Sequence, residues 1–208
     1  MRLYLKYILR MEKIKTLVNK ELTKPHCNNS YPQKKKLEWL TKLPNLSEVE
    51  KKFSPVYWGY ASRLPERAYK AVCPTISELN ELYGEGSSSY WVNVQITALF
   101  GSSSNKDSEL ACGIKLFSDS FASEVGIYKL SELMLFFSRY KAGIYDNSYS
   151  TFDTRRIGAA FFKEFLPQRL SELTRIQRED YNREIQEKKE RWGRTAVTYE
   201  EYLKTKKI

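Results

Sequence analysis

Histidine occurs once in the 208 residues, at His26, and cysteine three times, at Cys27, Cys73 and Cys112. A histidine-based triad therefore has one candidate base, set among turn formers and away from any nucleophile motif. The cysteines are widely separated and odd in number, so neither a disulfide framework nor a zinc site is expected. The His26–Cys27 pair has no further ligand at metal-binding spacing and reads as part of an exposed linker. A reducing, cytoplasmic compartment fits this cysteine usage. No apolar run approaches the ~20 residues that cross a bilayer, and no membrane role is expected. Glycine is sparse. GEGSSS at 84–89 has two glycines but lacks the Lys-Ser/Thr end of a phosphate loop. HExxH, paired CxxC, the dinucleotide-binding glycine fingerprint and the nucleophile elbow are all missing. The expectation is a non-enzymatic protein with no cofactor and no metal. A carboxylate-based nuclease stays open by composition, with Asp146 and Asp153 as candidates. Asp serves routinely in turns and helix caps, which is the plainer reading of both.

What the chain does have is positive charge and aromatic bulk. Its formal net charge is +10, with 35 Lys/Arg against 25 Asp/Glu. Residues 1–42 hold eleven of the cations and three of the acids, a net +8. Most of the excess therefore belongs to a basic N-terminal arm, which suits nucleic acid or another polyanion. Its first residues, MRLYLKYILRM, resemble a signal sequence in outline. Lys6 and Arg10 interrupt the apolar run, however, and no small-residue cleavage site follows. An uncleaved amphipathic helix is expected over 3–23, and Met11 offers a second start. Residues 24–36, KPHCNNSYPQKKK, read as a linker ending in the Lys34–Lys35–Lys36 run.

Hydrophobic residues make up 41% of the chain, enough for a core, and Tyr outnumbers Phe, 15 to 10. Pro44, Pro55 and Pro65 break residues 37–73 into short helices. Trp39, Phe53, Tyr57, Trp58, Tyr60 and Tyr69 cluster there. They form either a base-stacking platform or the edge of a core, and core is favoured because no strand scaffold is visible. Thr75-Ile-Ser-Glu78 is a capping box opening a helix over 76–83, stopped by Gly84. Residues 90–100 mix strand-like alternation with helical spacing and are assigned to helix. A further helix runs from Asp107 or Ser108 to about Ala122.

The most strongly patterned stretch is 129–166. Leu130, Leu133, Met134 and Phe137 recur at helical spacing, widened by Leu135, Phe136 and Tyr140, as in a helix contacted on more than one side. Gly143 should stop it. Asp153 should cap a second helix carrying Ile157, Ala160, Phe161 and Phe165, with Gly158, Ala159 and Ala160 allowing close approach. Pro167 should kink or end that helix. Residues 168–192 then carry dense charge of both signs around a narrow stripe of Leu170, Leu173, Ile176, Tyr181, Ile185 and Trp192, a helix largely in water. A short terminal helix should start near Thr198.

The stretch SELMLFFSRYKAGIYDNSYSTFDTRRIGAAFFKEFLPQR resembles a pattern in small helical proteins of bacterial phages and mobile elements. The residues that carry it are Phe136, Phe137, Lys141, Gly143, Tyr145, Asp153, Phe165 and Arg169. ELYG at 81–84 extends it backwards, and Asn147 and Ser148 stand where that pattern has glycines. The resemblance implies a mobile-element setting and no particular activity.

Together these readings predict an all-α protein. Residues 1–36 form a basic helix and linker, 37–166 a compact multi-helix core, and 167–208 a long charged helical extension. The expected function is that of an accessory protein binding nucleic acid, DNA rather than RNA, or a replication complex. Lys34, Lys35, Lys36, Arg139, Lys141, Tyr145, Arg155 and Arg156 are the contact candidates. The alternative is a protein–protein adaptor working through the C-terminal helix.

Overall fold

A computed structural model describes residues 31–100, 108–145 and 152–195, together with Tyr202. The helix expected over 3–23, His26, Cys27, Asp146 and the terminal helix from Thr198 lie outside the described residues, Tyr202 excepted. The chain divides into two compact units, 1–44 and 45–208. The described residues are all-α, and the one β-bridge among them joins Thr75 to Lys129.

In the first unit, α1 runs Tyr31–Lys42. Residues 31–36, expected to close a linker, instead form its first turns. Pro32 lies in that first turn, where its missing N–H deprives no carbonyl of a partner. Lys42 bonds Glu38 one turn back at 2.6 Å.

The second unit begins with α2 (Leu46–Lys52), capped by the Asn45 side chain at 3.0 Å from the Glu48 N–H. A 3-10 turn at Pro55–Tyr57 leads into α3 (Trp58–Arg63), and α4 follows at Pro65–Lys70. Pro55 and Pro65 each stand at the first turn of their helix, so the prolines that break this region also start its elements. Next is α5 (Ile76–Tyr83), whose Thr75–Glu78 capping box is formed on both sides. Gly84, at φ +98°, ends it. The helical reading of 90–100 holds, and α6 starts earlier than expected, spanning Ser87–Phe100. It packs against α7 (Ser108–Glu124).

The centre is α8 (Leu130–Lys141). Every residue from Leu130 to Phe137 is buried, as expected of a helix covered on several sides. It ends in a Schellman motif. Gly143, at φ +71°, donates to the Tyr140 carbonyl at 3.1 Å, and Ile144 reaches back to Arg139 at 3.1 Å. The second helix opens as α9 (Thr154–Ala159), with the Asp153 carboxylate accepting from the Arg155 and Arg156 N–H groups. A π-helical segment, Ala160–Phe165, follows, and the chain continues as α10 (Leu166–Thr195).

Helical structure thus runs on through Pro167. That proline cannot donate to the Lys163 carbonyl, and its ring would crowd it. Directly before it the ladder widens: the Leu166 N–H bonds Phe161, five residues back. The π segment accommodates the proline where a regular α-ladder would break.

The hairpin of α8 with the π segment is joined by aromatic rings. Phe136 meets Phe161 edge-on at 5.0 Å and Phe165 at 5.5 Å, and Phe121 of α7 meets Phe161 at 5.4 Å. The expected close approach at the small residues is absent at Gly158, where a Cβ would find nothing within 4 Å. Packing runs instead through Ala160, Phe161 and Phe165, all fully buried.

Candidate functional site

Of the contact candidates on the hairpin, Tyr145 and Arg139 are taken up by the body of the protein. Tyr145 is only 2% exposed and stacks on Phe136 at 5.8 Å, so its ring belongs to the core. Burial pushes its hydroxyl well above the usual phenol range. Arg139 has a side chain 11% exposed and bonds Glu172 of α10 at 2.7 Å. Burial opposes its charge, but the bond to Glu172 holds the guanidinium above its ordinary value. Arg156 pairs with Asp153 at 3.3 Å. Arg155 is exposed at the start of α9. Lys141 is exposed too, with its ammonium 5.4 Å from the centre of the Trp58 ring. In the first unit, Lys35 and Lys36 are exposed on α1, and nothing is described of the Lys34 side chain.

What sequence reasoning missed is a polar seam between α8 and α10. Glu132, 1% exposed, bonds Arg169 at 3.0 Å and accepts from the Lys129 N–H. Arg169 also lies over the Tyr128 ring at 5.1 Å. One turn further on, Arg139 meets Glu172. Tyr69 of α4 adjoins this pair, and burial followed by the Glu172 carboxylate raises its hydroxyl above the phenol range. Lys70 of α4 then bonds Asp180 at 2.9 Å. The seam fixes α10 along the body from Arg169 to Asp180. A signal existed: Glu132 interrupts the otherwise apolar run of SELMLFF, and a carboxylate inside such a run needs a cationic partner.

Beyond Asp180 the helix changes surroundings. From Tyr181 to Gly193 no residue is buried, and Ile185 alone is half-buried. Tyr181 is 63% and Trp192 67% exposed. Gln186 bonds Glu190 along the helix at 3.0 Å. At 30 residues, α10 is roughly 45 Å long.

Residues 115–208 match a family of unknown function (DUF6633). No curated protein and no solved structure matches the chain. The matched span takes in most of α7, the hairpin and all of α10, and leaves out the basic residues 1–42. It also contains the eight residues that carry the loop pattern, from Phe136 to Arg169, but not ELYG at 81–84. In the structure Phe136, Phe137, Tyr145 and Phe165 are core, Gly143 and Asp153 are caps, and Arg169 belongs to the seam. Lys141 is the only member of that set with an exposed, charged side chain.

Among the described residues no group of three or more His, Cys, Asp and Glu side chains is placed to hold a metal. Asp153, a candidate ligand by sequence, is engaged in capping α9 and in its pair with Arg156. No described helix is long and apolar enough to cross a membrane. Cys73 is buried and Cys112 exposed, both as free thiols.

Proposed function

We propose that this protein is an adaptor that captures a protein partner along the C-terminal end of α10. The observation that carries the reading is the exposed run from Tyr181 to Gly193, with Tyr181 and Trp192 uncovered on a helix anchored at Asp180. Tyrosine and tryptophan are the side chains most enriched where partner binding energy concentrates. Between Tyr181 and Thr195 five cations alternate with three acids. Mixed charge of this kind suits a protein surface better than a phosphate backbone. The family match supports the reading, since the shared region includes the whole of this helix. A partner in a phage or mobile-element replication complex fits the loop pattern.

Nucleic-acid binding through the N-terminal arm is the second reading, favoured by the arm's +8. Residues 43–208 carry 24 Lys/Arg against 22 Asp/Glu, so the rest of the chain adds little general attraction for polyanions.

The deciding experiment is affinity capture of cross-linked partners with the full chain, the Tyr181→Ala/Trp192→Ala variant and a chain ending at Asp180. The expected result is one partner retained by the full chain and lost from both altered forms, with unchanged melting of the body. Retention of that partner by both altered forms would overturn the adaptor reading.

A further inference from the structure

The aromatic cluster of 37–73 divides in the structure. Trp39, Phe53, Trp58 and Tyr69 are buried, as favoured from sequence, but Tyr57 and Tyr60 are 44% and 68% exposed. Their rings lie 6.0 Å apart, and the Arg63 guanidinium sits 5.5 Å from the Tyr60 centroid. The backbone beneath is held firmly. Gln95, fully buried, accepts from the Trp58 indole N–H at 2.7 Å and donates to the Phe53 carbonyl at 3.1 Å. Trp58 stacks on Phe137 at 5.9 Å, and Ser62 bonds Ser138. A rigid base therefore presents two rings outward at low entropic cost, which is how an aromatic side chain serves a ligand.

Along the chain, the charge on either side of these rings has one sign. From Lys51 to Pro65 the chain has no acidic residue. Glu50 stands directly before that stretch; of the other flanking carboxylates, Glu48 bonds Lys51 at 2.8 Å and Glu66 pairs with Lys70 at 3.5 Å. Lys141 comes to the same region from α8, above the Trp58 ring. This contrasts with the alternating charge of α10.

We propose that the outer face of the 3-10 turn and α3 binds single-stranded nucleic acid. Unpaired bases stack on Tyr57 and Tyr60, and Arg63 and Lys141 take the phosphates. Exposed rings beside cations are the combination that holds single strands with little sequence preference, because every base offers a π-face. A duplex keeps its bases stacked internally and cannot use the rings. The site is separate from the α10 surface and independent of whether α10 has a partner.

The test is fluorescence anisotropy of the full chain with a labelled oligothymidine strand and with a duplex of equal length. The strand should bind more tightly than the duplex. Tyr57→Ala and Tyr60→Ala should each weaken strand binding about tenfold, whereas Tyr57→Phe and Tyr60→Phe should retain it. Arg63→Ala and Lys141→Ala should each lower the slope of log affinity against log salt by about one. The Lys34–Lys36 alanine variant, which thins the arm, should weaken strand and duplex together and keep the preference between them. Equal binding of strand and duplex, or tyrosine-to-alanine variants that bind the strand like the unaltered chain, would overturn the proposal. So would the absence of strand binding at low salt. The tyrosines are exposed, so unchanged melting of these variants separates lost binding from lost fold.

Discussion

One helical run, from Thr154 to Thr195, has two ends built on opposite physics. Its first part is held by Ile157, Ala160, Phe161 and Phe165, each removed from water, with Phe161 and Phe165 set among aromatic rings. Its last part is surrounded by solvent and charge, with no residue buried from Gln177 to Gly193. Between them lies a stretch where ion pairs, with Ile176, dock the helix to the body. The contrast separates what keeps the molecule folded from what is left over to meet something else. A side chain in the first part affects stability, and one in the last part should affect only binding.

The largest expected effect tests the first half of that contrast. Phe161→Ala removes a ring from the contact of α7, α8 and the π segment and should cost about 3–5 kcal/mol. Urea denaturation would read this as a lower midpoint. Trp192→Ala should shift the same midpoint by no more than about 0.5 kcal/mol. Comparable losses in both variants would erase the distinction between the two ends.

The middle stretch gives the next effect. Glu132→Gln leaves Arg169 facing a neutral amide and should cost about 1–3 kcal/mol, because a charge-assisted hydrogen bond to a half-buried guanidinium is weakened. Replacing both residues, with Gln at 132 and Met at 169, should recover part of that loss. Strict additivity in the double-mutant cycle would mean that the seam holds by packing alone.

The smallest effect concerns Lys70 and Asp180, both well exposed. The hydrogen bond from Lys70 keeps the Asp180 carboxyl below its ordinary value, and the same bond keeps the Lys70 ammonium above its own. A depressed carboxyl stabilises the fold above its unfolded value, and the contribution disappears as pH falls through the folded value. A raised ammonium does the reverse, losing its contribution as pH rises through its folded value. The pair should therefore help across the neutral range and fade below about pH 4 and above about pH 10. Denaturation midpoints of the unaltered chain and of Lys70→Met should converge at the acid end. A constant difference from neutral pH to pH 3 would show that the lysine acts through its alkyl stem.

Periodicity made the helices legible. Leu130 to Phe137 announced a central helix, Asp153 a cap, Gly143 a stop and Thr75–Glu78 a capping box, because each rests on residues within a few positions of one another. The site was less legible. Tyr145 reads as a loop tyrosine, yet Phe136 draws it inward; Arg139 reads as a free cation, yet Glu172 lies 33 residues away in sequence and 2.7 Å away in space. Pro167 was expected to stop or kink its helix, and neighbouring π geometry lets the helical run go on. That Trp58 is buried and Tyr60 exposed depends on which face of α3 lands on α8.

The sequence alone determined the helical character, the concentration of charge at the N-terminus and the solvated C-terminal helix, since composition and local spacing suffice for each. Only the tertiary structure decided which cations are consumed in ion pairs and which tyrosines face water. Partners for buried charges and covers for rings come from distant segments, and no local pattern records which segments will meet.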